Sequence, residues 1–118
     1  MNNSITKSEN INLAQNIEYS AGAIVSKTLL KGESGNLTLF SFDQDQGLSE
    51  HSAPFDASVL ILDGEGEITI GGKANLLRKD EFIIMPANIP HAVKALKPFK
   101  MLLIMIKNKA ISNEIIGQ

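Results

Sequence analysis

Short apolar segments, broken at regular intervals by turn-forming residues, limit the folds open to this chain. Runs rich in Ile, Val, Leu and Phe alternate with clusters of Gly, Pro, Asn and Asp, and a helical period is almost absent. Such spacing is typical of an all-β sandwich or barrel, and a length of 118 residues predicts a single domain. Strands are predicted near residues 22–30, 36–43, 47–53, 57–63, 65–70, 74–77, 81–85, 91–96 and 99–106.

The turn-forming clusters predict where these strands reverse or end. The sequence KGESGN at 31–36 is predicted to turn the first pair of strands, and DGEG at 63–66 to separate two further strands. Gly71 and Gly72 supply the positive backbone angles of a tight hairpin. The segment MPANIPH at 85–91 contains two prolines. Because proline cannot donate a hydrogen bond to a central strand, this segment is predicted to be a connection between strands.

Composition and charge exclude several classes of function. With 43% hydrophobic and 20% charged residues, the chain has the composition of an ordinary globular protein. A net charge of −2 without a basic stripe argues against a nucleic-acid partner. The chain has no cysteine, which excludes disulfides and thiolate metal ligands.

The sequence also argues against a membrane location. Its first residues are polar and lack the apolar core of a secretory signal. The longest apolar run, MLLIMI at 101–106, is far shorter than the roughly 20 residues that span a bilayer. We therefore expect a cytoplasmic protein with no membrane partner.

Two histidines are the residues best suited to bind a ligand. They are the only histidines of the chain, His51 and His91, and each lies at the end of a predicted strand beside a turn. A single histidine on a strand is more often structural than functional, although imidazole is also a common metal ligand. The motifs around the two residues link them.

The segments around both histidines resemble the two motifs of the cupin superfamily, whose members are small jelly-roll barrels. The first cupin motif is a glycine, five residues, His, one residue, His, three or four residues, Glu, six residues and a glycine. His51 and Gly64 match its first His and its closing glycine. Ala53 stands at the second His and Ala57 at the Glu, while Asp45 replaces the opening glycine.

The second cupin motif is likewise matched only in part. Pro86 and His91 stand at its proline and its histidine. Asp80 and Asn88 replace its glycines, and Ala95 stands where an Asn is usual. The resemblance therefore implies an all-β, double-stranded β-helix (jelly-roll) barrel with a degenerate metal-binding motif.

The same resemblance predicts the organisation of the chain. The cupin barrel is expected to span residues 18–107, preceded by an N-terminal arm at 1–17 that covers a sheet edge. A C-terminal tail at 108–118 carries three isoleucines, 111, 115 and 116, at spacings that fit one short helix. The resemblance to single-domain cupins also implies a homodimer formed through barrel faces or edge strands.

Strand alternation predicts which side chains line the barrel, because every second residue shares a face. With a turn at Pro54, this predicts an inward-facing set of His51, Ala53, Ala57, Val59 and Ile61. Three methionines are expected near the strands that line or support the barrel: Met85, Met101 and Met105. Phe40, Phe42 and Phe55 are predicted to close the mouth of the barrel. The predicted ligand-binding pocket consists of His51, Ala53, Ala57, Val59, Ile61, Met85, His91 and Met101.

Three functions are compatible with this pocket. The first is binding of a small molecule inside the barrel, with His51 and His91 as polar contacts and at most an incomplete metal site. The second is a metal-dependent cupin enzyme, of oxygenase or isomerase type, in which Gln44, Gln46 or a substrate group completes the shell of a divalent Zn, Fe, Ni or Mn ion. The third is a structural or interaction module with a filled barrel. The sequence does not decide whether the protein is an enzyme.

Overall fold

The computed structural model describes residues 6–107 as an almost entirely β structure. A 3₁₀ helix at Leu13–Asn16 precedes eight strands. Their bounds are β1 (Ile24–Gly32), β2 (Gly35–Phe42), β3 (Gly47–His51), β4 (Asp56–Ile70), β5 (Lys73–Arg78), β6 (Phe82–Met85), β7 (His91–Lys94) and β8 (Phe99–Ile106).

All strand pairs are antiparallel, and the strands form two sheets that share β4. The first sheet has the order β1-β2-β8-β4-β6, and the second has the order β5-β4-β7-β3. The long strand β4 leaves the first sheet after Gly64 and continues into the second. This curled two-sheet arrangement confirms the predicted all-β jelly-roll.

The prediction that DGEG at 63–66 separates two strands is wrong. β4 is continuous over 15 residues, with a shift of register between Ile61 and Asp63. Gly64 follows with a φ of 73°, a left-handed conformation that glycine adopts at little cost. A bulge bends a strand and increases its twist, so the glycine marks the corner where β4 changes sheets and not its end.

The other predicted turns are confirmed. Gly71 and Gly72 have φ values of 57° and 83°, and they join β4 to β5 as a two-residue hairpin. Glu33 and Ser34 form the turn between β1 and β2. The proline-containing segment at 85–91 connects β6 to β7.

The two ends of the barrel differ in what lies between the sheets. At the end that we call the closed end, Phe42 stacks on Phe99 with ring centroids 4.7 Å apart, and Phe99 pairs with Gly64 of β4. We call the opposite end the mouth. Ala57 of β4 pairs with Met85 of β6 there, and His91 begins β7 after the β6–β7 connection. The register of β4, β7 and β8 thus fixes which inward residues are near the mouth.

The N-terminal segment lies on the outer face of the first sheet, and not along an edge as expected. Leu13 and Ile17 pack on Leu39 and Leu102. Lys100 Nζ donates a hydrogen bond to the carbonyl of residue 14 at 2.6 Å, and this fastens the segment to β8. Residues 1–5 of the predicted arm and all of the predicted tail at 108–118, with its proposed short helix, lie outside the described residues.

Within residues 6–107, no helix has the length and apolar character needed to cross a membrane.

Candidate functional site

The register of the second sheet brings the two histidines together at the mouth. His91 is the first residue of β7, where it pairs with Ile70 on one side and with His51 on the other. The two Nε2 atoms are 3.2 Å apart, and the rings meet edge to face with centroids separated by 4.4 Å. The residues linked by the sequence motifs are therefore in direct contact.

Each imidazole is oriented by a backbone carbonyl at its other nitrogen. His51 Nδ1 is 2.8 Å from the carbonyl oxygen of Ser49, and His91 Nδ1 is 3.2 Å from that of Ile89. Because a carbonyl only accepts, these contacts favour the tautomer with the hydrogen on Nδ1 of each ring. A neutral ring in that tautomer has its lone pair on Nε2, so the two Nε2 atoms converge as acceptors for a proton, a hydrogen-bond donor or a cation.

The two histidines differ in exposure. His91 is 6% exposed, whereas His51 is on the surface. Burial lowers the pKa of His91 below its ordinary value, and the neighbouring His51 lowers it further. The hydrogen bond to the carbonyl of Ile89 raises the pKa and so offsets part of this effect. His91 therefore favours the neutral form that accepts through Nε2 near pH 7.

The histidine pair fits two positions of a metal shell. Nitrogens about 2.0–2.1 Å from one ion, at tetrahedral or octahedral angles, are roughly 2.9–3.4 Å apart, and the observed separation is 3.2 Å. A carbonyl bonded to Nδ1 is also the usual partner of a ligating histidine. No group of three or more His, Cys, Asp or Glu side chains that could hold an ion exists within residues 6–107. The described side chains thus supply part of a shell and not a complete one.

The residues considered as a third protein ligand lie elsewhere. The carbonyl of Gln46 accepts from the backbone nitrogen of Ala95, which places Gln46 at the closed end. The five residues of β3 separate it from His51 by roughly 16 Å. Gln44 precedes it at the same end, so neither glutamine completes a shell at the histidine pair, and that expectation is wrong. The carboxylate of Asp56 stabilises the β6–β7 connection, because its Oδ1 accepts a hydrogen bond from the backbone nitrogen of Ala87 at 2.8 Å.

The predicted pocket residues divide by depth. Beside the histidines, Ala53 is half-buried, while Ala57 and Met85 are buried near the mouth. Deeper in the barrel, Val59, Ile61 and Met101 have at most 1% of their surface exposed and belong to the core. Their contact with a ligand stays a prediction, and the shallower residues have the shorter path to solvent.

The phenylalanines do not all lie where they were expected. Phe42 is fully buried at the closed end, so the prediction that it closes the mouth is wrong. Phe40 stacks on Phe42 at 5.8 Å and is half-buried, one step nearer the mouth. Phe55 is half-buried in the connection between β3 and β4.

The inner face of the first sheet carries a polar strip that was not predicted from the sequence. Asn36 and Thr38 share the face of Phe40 on β2, and Thr28 of β1 pairs with Thr38. Their hydroxyl and amide groups therefore lie on the barrel side near the mouth. Alternation along GNLTLFSF separates these residues from Leu37 and Leu39, but the face that turns inward depends on the neighbouring strands.

The residues that replace motif glycines preserve the backbone conformation that glycine provides. Asp45, Asp80 and Asn88 have φ values of 71°, 71° and 67°, close to the 73° of Gly64. Asp and Asn adopt this left-handed region more readily than other residues with a side chain. The four glycine positions of the two motifs are thus alike in backbone shape, although only one of them is glycine.

Surface grooves occur away from the histidines. One of about 940 Å³ runs between residues 15–20 and β1, and one of about 430 Å³ lies beside the β1–β2 turn. A third, of about 390 Å³, lies around Gly47, Thr69 and Lys94 on the second sheet. None of these three is lined by His51 or His91, so the grooves are separate from the histidine pair.

Comparison with known proteins identifies the family. The family described as "Cupin domain" matches residues 38–106. These residues are more than half of the chain, include both histidines and extend from β2 to the end of β8. The chain therefore belongs to the cupin domain family.

Solved structures agree with this assignment. A conserved protein of unknown function from Streptococcus pyogenes is 38% identical, with a TM-score of 0.85 over 92% of this chain and 95% of that one. A cupin 2 conserved barrel domain protein from Leptotrichia buccalis is 46% identical, with a TM-score of 0.80 over 82% of this chain. The match spans only 47% of the Leptotrichia protein. A cupin superfamily protein from Desulfitobacterium hafniense is 29% identical, with a TM-score of 0.83 over 88% of this chain and 95% of that one. Among curated proteins, no sequence matches this chain.

Proposed function

We propose that this small cupin binds a small molecule at the mouth of its barrel, with His51 and His91 as the polar end of the site. The observation that carries the proposal is the 3.2 Å separation of their Nε2 atoms, each on a ring held by a backbone carbonyl. Two convergent acceptors favour a ligand that brings a hydrogen-bond donor, such as a hydroxyl or an ammonium group.

The surroundings of the histidines support a ligand that is partly apolar. Ala57 and Met85 lie on the barrel wall next to the pair, and Leu103 of β8 is half-buried on the same inner face. Alanine at the two positions where the cupin motif has His and Glu makes this wall apolar and leaves it more room. A concave apolar surface with a few convergent polar atoms is the usual form of a small-molecule site.

A metal-dependent enzyme of oxygenase or isomerase type is the second candidate. It is favoured by the same Nε2 separation, which suits two ligands of one divalent ion. In this case His51 and His91 would hold the ion, and donor atoms of the bound molecule or water would complete its shell. A bound divalent ion would supply Lewis-acid chemistry at the mouth.

Mass spectrometry of the tag-free, full-length protein separates these candidates. Native mass spectra measure any small molecule that stays bound after purification, and elemental mass spectrometry measures metal per chain. The variants are His51→Ala and His91→Ala, with Leu76→Ala on β5 as the control, because Leu76 is an exposed residue far from the pair. We expect a bound organic mass in the wild type and the control that is lost in both histidine variants.

Each other outcome assigns a different function. Near-stoichiometric metal that disappears in both histidine variants would favour the metal-dependent enzyme. Neither metal nor bound mass in the wild-type protein, together with unchanged thermal stability in the histidine variants, would contradict ligand binding and favour a filled structural barrel.

A further inference from the structure

The inner wall of the first sheet ends, at the mouth, in groups that donate hydrogen bonds. Lys31 of β1 pairs with Asn36 of β2, so the two side chains lie on the same face of the sheet. Asn36 shares this face with Thr38 and with Phe40, which packs against the barrel core. A lysine ammonium and a side-chain amide are therefore neighbours on the barrel side, and we call this pair the donor wall.

The fold uses the acceptor atom of Asn36 and leaves its donor atom to a ligand. Thr38 Oγ1 donates a hydrogen bond to Asn36 Oδ1 at 3.4 Å, which assigns the opposite side of the amide to Nδ2 and its two hydrogens. The ion pair within residues 6–107 joins Arg78 and Glu65, so Lys31 has no carboxylate partner in that part of the chain. Both residues of the donor wall are thus available to an acceptor from outside.

The histidine pair stands on the opposite wall of the same mouth. β2 runs from the mouth to the closed end, and β3 returns from the closed end to the mouth in the other sheet. Phe40 of β2 and Leu48 of β3 pack against one core cluster, so the two strands line one interior. Asn36, near the start of β2, and His51, at the end of β3, therefore lie at the same end of the barrel on different sheets.

An apolar floor separates the two polar walls. Asn36 pairs with Met105 of β8, and Met105 pairs with Ala57 of β4. Packed sheets lie about 10 Å apart, so a ligand that contacts both walls is a small molecule. Lys31, Asn36 and Met105 also line the groove of about 430 Å³ beside the β1–β2 turn, which leaves the donor wall open to solvent.

We propose that the ligand of the mouth is a small amino- or hydroxy-carboxylic acid, with its carboxylate on the donor wall and its amino or hydroxyl group on the histidine pair. This inference rests on the function proposed above and adds the second end of the ligand. A carboxylate only accepts hydrogen bonds, and Asn36 Nδ2 and Lys31 Nζ only donate them. The Nε2 atoms of His51 and His91 take the donor at the other end, so the two walls fix the direction of the ligand.

Binding of matched probes to the full-length protein tests the proposal. The probes are β-alanine, γ-aminobutyrate and ε-aminocaproate, which differ in length, each compared with the amine and the carboxylate of the same carbon chain. Titration is followed by ¹H–¹⁵N NMR in the presence of a chelator, so that no metal ion occupies the Nε2 atoms. We expect one of the amino acids to bind about 10-fold or more tightly than its amine and its carboxylate, because only it makes charge-assisted hydrogen bonds at both ends.

Variants of the donor wall separate its contribution from that of the histidines. Asn36→Asp keeps the acceptor for Thr38 but replaces the amide nitrogen with an oxygen, so it should weaken the amino acid about 10-fold or more and leave the amine unweakened. Lys31→Met should weaken the amino acid less, because salt screens an exposed ammonium. Lys79→Met is the matched control, since this exposed lysine lies between β5 and β6, and should change nothing.

The histidine variant His51→Ala completes the test. It should weaken the amino acid and the amine but leave the carboxylate probe unchanged. The amide resonances of the ¹H–¹⁵N spectra confirm that each variant remains folded.

The possible failures of the two proposals differ. Equal binding of amine and amino acid, lost in His51→Ala but unchanged in Asn36→Asp, would overturn this inference and leave the histidine site standing. Binding of the amino acid that is lost in Asn36→Asp but unchanged in His51→Ala would contradict the function proposed for the histidines, and with it the two-ended ligand. Equal weakening by Lys31→Met and Lys79→Met would remove Lys31 from the donor wall. No binding of any probe at millimolar concentration would overturn this inference.

Discussion

The closed end and the mouth of the barrel are built from the same strands, yet they differ in packing. On the inner face of β8, Phe99 and Met101 are buried completely, whereas Leu103 and Met105 are only half-buried. All four residues face the same interior, so apolar character does not distinguish them. The difference shows that one end of the barrel is tightly packed and that the side chains at the other end are more accessible to solvent.

Backbone contacts sharpen the contrast between the two ends. At the closed end, a Cβ atom added to Gly66 would lie 2.6 Å from a ring carbon of Phe99, so any larger residue must displace the ring. At the mouth, Ala53 and Ala57 occupy positions where the cupin motif has larger ligating side chains. Packing therefore leaves least room for a larger residue where the barrel is filled.

The largest expected effect is the loss of stability when the closed end is emptied. Phe99→Ala removes a fully buried ring that stacks on Phe42, and should lower the free energy of unfolding by about 3–5 kcal/mol. Leu103→Ala on the same strand should cost about 2 kcal/mol or less, because part of its side chain is already exposed. Urea denaturation of both variants measures the difference. Equal losses would show that the two ends are packed alike.

A smaller effect is expected where asparagine replaces a motif glycine in the connection before the mouth. Asn88 has a φ of 67°, and alanine in this conformation costs about 1 kcal/mol. Asn88→Ala should therefore lower the free energy of unfolding by about that amount, while Asn88→Gly should change it by a few tenths of a kcal/mol. If thermal or urea unfolding shows Asn88→Ala to be as stable as Asn88→Gly or more stable, the left-handed backbone conformation does not explain the asparagine at this position.

The smallest effect concerns the pH dependence of stability at the mouth. Because burial lowers the pKa of His91, the folded protein binds a proton there less readily than the unfolded chain does. The resulting stability is fully present above the ordinary histidine pKa of 6.5 and is lost as the pH falls below that value and through the lower pKa of folded His91. In the presence of a chelator, the free energy of unfolding should therefore fall as the pH is lowered from 7.5 to 5.5.

The His91→Gln variant tests the assignment of that pH dependence. Its free energy of unfolding should vary less over the same range, because glutamine does not titrate. Urea denaturation at four or five pH values provides the measurement. An unchanged slope in His91→Gln would assign the pH dependence to other groups.

The fold could be predicted largely because its signals are local. Gly71 and Gly72 specify a two-residue hairpin by their backbone freedom alone, and the prolines near His91 end a strand wherever they occur. The spacing of the cupin motifs also linked His51 to His91 before their contact was known. The continuity of β4 was missed because a glycine at positive φ permits a bulge as readily as a turn.

The candidate site could be predicted only in part because its geometry depends on register. The sequence indicated which residues alternate along β2, but not that Asn36 and Thr38 face the barrel while Leu37 and Leu39 face outward. It likewise placed Phe42 in the barrel without showing that it lies at the closed end. A one-residue change of register exchanges the two faces of a strand, so local pattern does not settle these questions.

The all-β class, the hairpins and the pairing of the two histidines could be predicted before folding was considered, since they follow from backbone freedom, alternation and motif spacing. Only the folded chain brings the two Nε2 atoms within 3.2 Å, fills one end of the barrel, and aligns Leu37, Ile104 and Ser58 across neighbouring strands. The physical reason is that all three depend on pairing between strands distant in sequence, which sets the register and the inward face of each strand.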